Sequence, residues 1–252
     1  MGRDIFIENH TIFVGQTPHE IAAYGLEQIE KLFIQKQLIT PKPFHVALSG
    51  GETPKKLYEL MSSGQLVQNP QVSFFLADER YCSKESPQSN QRLLFETLFA
   101  HLPKEKPFSK FFPMDTDLSL EEAALGYEKI IQQKIQIDRG GFDVVSLGLG
   151  EDLHTASLFM DNPEIQNPSQ KLCIPVKNSP KEPKERLTLT PKALIGTQVI
   201  VMAQGSKKAA AIEHAILGKD DACPIHTVLR KQKVTWLLDE PAAQLLFKNL
   251  NT

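Results

Sequence analysis

The run Phe142-Asp-Val-Val-Ser-Leu-Gly-Leu-Gly-Glu-Asp-Leu-His-Thr-Ala-Ser-Leu-Phe159 holds the groups in this chain best suited to chemistry. An apolar stretch stops at Gly148 and Gly150 and then delivers Asp152 and His154. Imidazole titrates near physiological pH, at about 6.5 when unperturbed, so His154 can take a proton from water and return it to a leaving oxygen. Asp152, two residues earlier, can hold the tautomer of that ring or help place the water. A plainer reading competes: Asp152 or Thr155 caps a short helix that follows. Gly148-Leu-Gly150 also opens like a dinucleotide fingerprint, but Leu153 stands at the third glycine position, which argues against nucleotide binding there.

A second pattern is Val46-Ala-Leu-Ser-Gly-Gly-Glu-Thr-Pro54, in which an apolar strand runs into paired glycines and then a helix start. Glycines let backbone N–H groups turn toward an anion at a helix N-terminus. Ser49, Gly50, Gly51 and Thr53 therefore form a candidate phosphate cradle, with a simple tight turn as the alternative. The G-x-x-x-x-G-K-[ST] spacing of a nucleotide P-loop is absent. In Phe74-Phe-Leu-Ala-Asp-Glu-Arg80, charges appear abruptly at a strand end. Arg80 can stabilise developing negative charge, or can form an ordinary ion pair with Asp78 or Glu79. Arg186, opening the alternating Leu187-Thr-Leu-Thr190, and Lys208, following Gly205, are further cations for a sugar phosphate.

Composition narrows the partner. The 252 residues carry a net charge of −2 from interspersed acids and bases, so no basic field for nucleic acid is expected. Cys82, Cys173 and Cys223 are far apart with no C-x-x-C pair, which points to a reducing cytoplasm rather than a disulfide framework. The seven histidines show no i, i+4 pair and no Cys/His cluster, so no metal site is expected. No apolar run reaches the ~18–20 residues of a membrane span, and the N-terminus reads as neither a secretory signal nor a myristoylation site.

These groups need a scaffold that brings strand ends together. Apolar runs alternate with amphipathic segments along the whole chain, the pattern of an α/β fold with a mostly parallel sheet. In such sheets ligands bind beyond the carboxyl ends of the strands. The pattern predicts strands near Ile5–Ile7, Thr11–Val14, Phe44–Leu48, Val72–Ala77, Phe142–Leu147, Lys171–Val176, Arg186–Thr190, Val199–Ala203 and Val234–Leu238. Helices are expected near Glu20–Gln35, Pro54–Met61, Ser89–Ala100, Leu120–Gln136, Ser206–Leu217 and Pro241–Phe247. Leu26, Ile29 and Phe33 form an apolar face on the first, and Ser119 with Glu122 makes a capping box for the Leu120 helix. Pro103–Asp117 and Asn162–Glu185 read as long loops, the second a possible lid, within one domain over 1–252. Trp236 reads as core.

Taken together, the blocks resemble the glucosamine-6-phosphate isomerase/6-phosphogluconolactonase family, on its lactonase side, over nearly the whole chain. The matching segments are Leu48-Ser-Gly-Gly-Glu-Thr-Pro54, Asp78-Glu-Arg80, Ser89-Asn90, Gly148 through Phe159, Arg186-Leu-Thr-Leu-Thr190, the Gly205/Lys208 pair and Trp236-Leu-Leu-Asp239. The resemblance implies a three-layer α/β/α fold with a Rossmann-like open sheet. It implies hydrolysis of 6-phosphoglucono-δ-lactone in the pentose phosphate pathway, with no metal or organic cofactor. His154, Asp152 and Arg80 would be catalytic, and Ser49, Gly50, Gly51, Thr53, Arg186 and Lys208 would bind the phosphate. The expected protein is cytoplasmic, a monomer or small homo-oligomer, acting on a small sugar-phosphate lactone without nucleic acid or membrane.

Two positions depart from the family pattern. Leu153 stands where D-G-H-T-A-S has glycine, so its backbone either avoids positive φ or tolerates strain. Glu52 stands where S-G-G-S-T-P has serine, and it is expected to face solvent, Lys55 or Lys56. The related deaminases resemble D-G-H-I-A-F-N-E, with D-E-Y at the earlier strand end. Here His154-Thr-Ala-Ser-Leu-Phe-Met160 lacks the later carboxylate and Arg80 replaces the aromatic. A sugar-phosphate sensor, the other alternative, usually brings a helix-turn-helix.

Overall fold

The structure is a computed structural model that describes residues 2–40, 42–102, 111–135, 141–218, 223–230 and 232–250. Its central sheet contains β1 (Arg3–Ile7), β2 (His10–Gly15), β3 (Phe44–Leu48), β4 (Val72–Leu76), β6 (Phe111–Phe112), β7 (Val144–Gly148), β10 (Gln198–Ala203) and β11 (Lys233–Asp239). The spatial order is β1-β2-β11-β10-β7-β3-β4-β6. All neighbours run parallel except the β1 edge strand, which pairs antiparallel with β2. Near-continuous burial along β3, β4, β7 and β10 explains their apolar runs, because a parallel sheet is covered on both faces.

The helices are α1 (Pro18–Ile39), α2 (Lys55–Ser62), α3 (Gln65–Gln68), α4 (Asn90–Glu96), α5 (Leu120–Lys134), α6 (Pro163–Gln166), α7 (Ala209–Leu217), α8 (Pro224–Leu229) and α9 (Glu240–Leu250). From β3 the chain moves outward one way through β4 to β6; from β7 it moves the other way through β10 to β11. Right-handed crossovers therefore place α1 and α2 on one face and α5 and α7 on the other, giving three layers. Accordingly α1 packs against α2, and α7 packs against α9. The reversal falls between adjacent β3 and β7. Such a topological switch point opens a crevice at the strands' carboxyl ends. The glycine loop after β3 and the Asp152–His154 segment after β7 both flank it.

Each predicted strand is present, and the alternating segments pair differently from expectation. β5 (Asp78–Arg80), β9 (Arg186–Leu189) and β8 (Cys173–Val176) form a separate three-stranded sheet, antiparallel throughout. Periodicity reveals a strand and not its partner. The chain passes between sheets at Ala77, whose N–H donates to Leu48 O (2.9 Å) and whose carbonyl accepts from Leu189 N (2.8 Å). The Asn162–Glu185 segment is thus partly regular, holding α6 and β8. Residues 103–110 of the other expected loop, and Gln136 of the expected Leu120 helix, lie outside the described residues.

Local signals place the helix ends. Thr17 caps α1 through Glu20 N, and Ser119 with Glu122 forms the reciprocal capping box of α5. Helix α4 is shorter than expected and ends at Glu96, where the Thr97 hydroxyl donates to Leu93 O (2.7 Å). One hydrophobic cluster runs beneath both sheets, with Trp236, Tyr58, Tyr127, Phe74, Phe75 and Phe142 fully or almost fully buried. Two of these aromatics brace the site. Tyr127 OH donates to Leu76 O (2.9 Å) and accepts from Leu76 N (2.8 Å), while Tyr58 OH donates to Ser49 O (2.6 Å).

Candidate active site

The loop after β7 folds into a compact turn around its own polar groups. Gly150 N donates to His154 O (2.8 Å), Leu153 N to Gly150 O (3.1 Å), and the Thr155 hydroxyl to Gly148 O (2.9 Å). No helix starts here, which removes the capping alternative for Asp152 and Thr155; the next helix, α6, is capped by Asn162. Asp152 Oδ1 instead pairs with His154 Nδ1. A Cβ on Gly150 would lie 2.0 Å from His154 Nδ1 and 2.2 Å from Asp152 Oδ1, so this glycine makes room for the pair. Leu153 has φ +65°, so it tolerates strain at the position where the family pattern has glycine.

Electrostatics set the tautomer. Burial raises the Asp152 carboxyl, but the His154 hydrogen bond and nearby Lys181 outweigh it, and the net shift is downward. Asp152 is thus ionised near neutrality, accepts only, and fixes the proton on Nδ1, leaving a lone pair on Nε2. His154 itself is lowered, chiefly by burial, with Asp152 acting in the opposite sense. The ring stacks on Phe159 at 4.7 Å between centroids and is 17% exposed. It is a neutral imidazole that still reaches solvent.

Cations gather around this pair. Lys181 Nζ lies 3.7 Å from Asp152 Oδ1. Lys208 sits in a short turn before α7, within electrostatic reach of Glu151, Asp152 and Lys181, and burial lowers its ammonium. The Arg186 guanidinium lies 5.7 Å from the Phe159 ring centre, while His154 stacks on that same ring. Arg186 donates from Nε to Pro183 O (3.1 Å) and from Nη2 to Lys181 O and Glu182 O (both 3.2 Å). The guanidinium therefore also shapes the loop that carries Lys181. Arg80 faces Arg186 across β5–β9. Its Nη1 donates to Gln88 O (2.8 Å), and its Nε is buried without a hydrogen-bond partner among the described residues. An Arg80 ion pair to Glu79 is not formed, because Glu79 turns to the start of α4 and accepts from the backbone N–H groups of Asn90 and Gln91.

The glycine loop lies across the crevice. Gly51 has φ +109° with open space where a side chain would be, and Glu52 points outward to Lys55 at 2.7 Å, as expected. The Ser49 hydroxyl is buried with no hydrogen-bond partner among the described residues. Thr53 is half-buried just before α2. Among the described residues no hydrogen bond joins residues 49–53 directly to Asp152 or His154; Asn90 and Asp78 instead link the Gly50 turn to Ser157, on the segment that carries the pair. Asn90 Nδ2 donates to Asp78 O (2.9 Å), and its Oδ1 lies against Gly50, where a Cβ would come within 1.8 Å. Asp78 Oδ2 accepts from the Ser157 hydroxyl (2.7 Å), and Ser157 N in turn donates to Thr188 Oγ1 (3.2 Å).

Asp78, Asn90, Ser157 and Lys181 had no assigned role from sequence. Asp78 and Asn90 lay inside recognisable blocks, whereas Lys181 is one lysine among several in a polar loop and carries no distinguishing local signal. A separate apolar cleft of about 920 Å³, lined by residues including Ile165, Pro191, Ile195 and Val228, contains none of the predicted site residues.

Residues 16–236 match the family described as glucosamine-6-phosphate isomerases/6-phosphogluconolactonase. The chain belongs to this family. The human 6-phosphogluconolactonase is 34% identical over 212 residues, covering 81% of each chain. A rice protein named probable 6-phosphogluconolactonase 3, chloroplastic, is also 34% identical, and this chain spans 66% of its length. Among solved structures, the 6-phosphogluconolactonase of Trypanosoma brucei superposes with a TM-score of 0.78 at 28% identity, covering 93% of this chain and 98% of that one. The Thermotoga maritima enzyme gives 0.76 at 29% identity, covering 91% and 99%. The family's fold is the α/β architecture described above, and no described helix is long and apolar enough to cross a membrane.

Proposed function

We propose that this chain hydrolyses 6-phospho-D-glucono-1,5-lactone to 6-phosphogluconate, with His154 as general base. The observation that carries this reading is the ionised Asp152 that leaves His154 Nε2 with a lone pair, set among Arg80, Arg186, Lys181 and Lys208. The lactone phosphate rests on the Ser49–Thr53 backbone with Arg186 and Lys208. Nε2 takes a proton from water as that water attacks the lactone carbonyl. Arg80 stabilises the tetrahedral oxyanion. The bond from that carbon to the ring oxygen then breaks, and the imidazolium returns its proton to the departing oxygen. Lactones are reactive esters, so one base worth about 10²–10⁴-fold, together with positioning, meets the demand.

The relatives' names, the missing carboxylate in His154–Met160 and Arg80 in place of an aromatic support this reading over a deaminase. We read 1–252 as a single cytoplasmic domain, a monomer or small homo-oligomer that engages neither nucleic acid nor membrane. The test offers freshly made 6-phosphogluconolactone and glucosamine 6-phosphate in parallel. Acid release from the lactone alone is expected; ammonia from the amino sugar would select the deaminase, and binding without turnover a sensor.

A further inference from the structure

Away from the crevice, three metal-ligating side chains converge where α7 ends and α8 begins. His214 lies in the last turns of α7, Cys223 is the residue before α8, and His226 is in the first turn of α8. One donor atom from each lies within 4.8 Å of the other two. The two imidazoles stack at 5.4 Å between centroids. This corrects the expectation of no Cys/His cluster: His214 lies outside the Cys223-x-x-His226 pair in sequence, and the fold brings the three together.

The hydrogen bonds around the cluster are those of a ligand set. His226 Nε2 lies 3.1 Å from His214 O and 3.2 Å from Ala215 O. Carbonyls only accept, so Nε2 holds the proton and Nδ1 the lone pair. A backbone carbonyl fixing the tautomer is the usual outer partner of a metal-bound histidine. His214 Nε2 is buried with no hydrogen-bond partner among the described residues, a cost that a coordinated ion removes. Cys223 is buried beside them. At Gly218 a Cβ would meet His214 O at 2.4 Å and His226 Cε1 at 3.2 Å, so glycine lets the elements close on one another.

We propose that His214, Cys223 and His226 bind a zinc ion that clips the end of α7 to the start of α8. One thiolate and two imidazoles suit a borderline-soft tetrahedral ion rather than calcium or magnesium, which prefer oxygen. Donors around such an ion sit ~3.3–3.6 Å apart given its bond lengths, so closure by about an ångström completes a three-residue site whose fourth position takes water. The site lies at the opposite end of α7 from Lys208 and shares no residue with the crevice, so the ion bridges the two helices without entering the lactone chemistry.

Metal-stripped full-length protein titrated with Co²⁺ tests this. A saturable signal is expected, combining tetrahedral d–d bands with a thiolate-to-cobalt charge-transfer band, and Zn²⁺ should displace it. Cys223→Ser should abolish the charge-transfer band, and His214→Ala should weaken binding by at least about tenfold. His154→Ala should leave both bands unchanged. Zn²⁺ should also raise the Tm of the unsubstituted protein and not that of Cys223→Ser. Absence of a thiolate band in the unsubstituted protein overturns the proposal whatever the variants do. Binding that survives Cys223→Ser and disappears in His154→Ala overturns it equally, by placing the ion at the crevice.

Discussion

The two loops that face each other across the switch point are built in opposite ways. The segment after β7 satisfies Asp152 with His154 and Thr155 with Gly148 from within itself, and anchors Ser157 on Asp78 of β5. It accepts left-handed backbone at Leu153 and Ala156 to do so. The loop after β3 leaves Ser49 Oγ without a partner among the described residues, has open space beside Gly51, and enters α2 through Pro54 with no side-chain cap. One loop is preorganised by its own side chains to hold a proton acceptor. The other exposes backbone, which suits an anion that brings its own acceptors. General-base chemistry needs one ring in one tautomer, whereas phosphate binding needs several donors of modest individual strength.

The sharpest way to break this contrast is His154→Ala. On the lactone it should lower kcat by at least about 10²-fold with KM little changed; near-normal turnover would remove His154 as the base. Gly150→Ala should follow, reducing kcat by up to about 10²-fold, because the added methyl displaces both members of the pair. Steady-state kinetics with a thermal melt would separate that loss from unfolding.

Asp152→Asn should lower kcat by at least about tenfold, since the ring loses the carboxylate that holds its tautomer. Its pH profile adds a sign. Burial lowers His154, so the acid limb of kcat/KM should lie below about 6.5, the unperturbed value. Asp152 opposes that shift, so its removal should move the limb lower still. A limb that moved upward would contradict the pairing.

On the other loop, Gly51→Ala should act through binding. Its φ of +109° strains any side chain, at about 1–3 kcal/mol, so KM for the phosphorylated lactone should rise several-fold with kcat nearly constant. An equal loss on unphosphorylated gluconolactone would show that the loop does not serve the phosphate. The smallest effect is expected for Leu153→Gly, where relief of positive φ and loss of a partly buried apolar side chain oppose one another. Thermal melting should place the net change within about 1 kcal/mol.

How far the chain could be read depended on the range of the forces involved. Strand periodicity, the Ser119–Glu122 capping box, the outward turn of Glu52 to Lys55 and the candidacy of His154 are local matters, settled by residue type and spacing over a few positions. Tertiary structure decided what depends on distant partners. It split β8 and β9 from the parallel sheet and set them antiparallel with β5, placing Arg80 against Arg186. It brought Lys181 to Asp152, linked Asn90 and Asp78 between the two loops, and gathered His214 with Cys223 and His226. A sequence specifies which groups a chain offers and which local shapes each segment favours. Which groups meet is fixed by burial and strand pairing across the whole fold, and the Asp152–His154 pair acquires its cations only there.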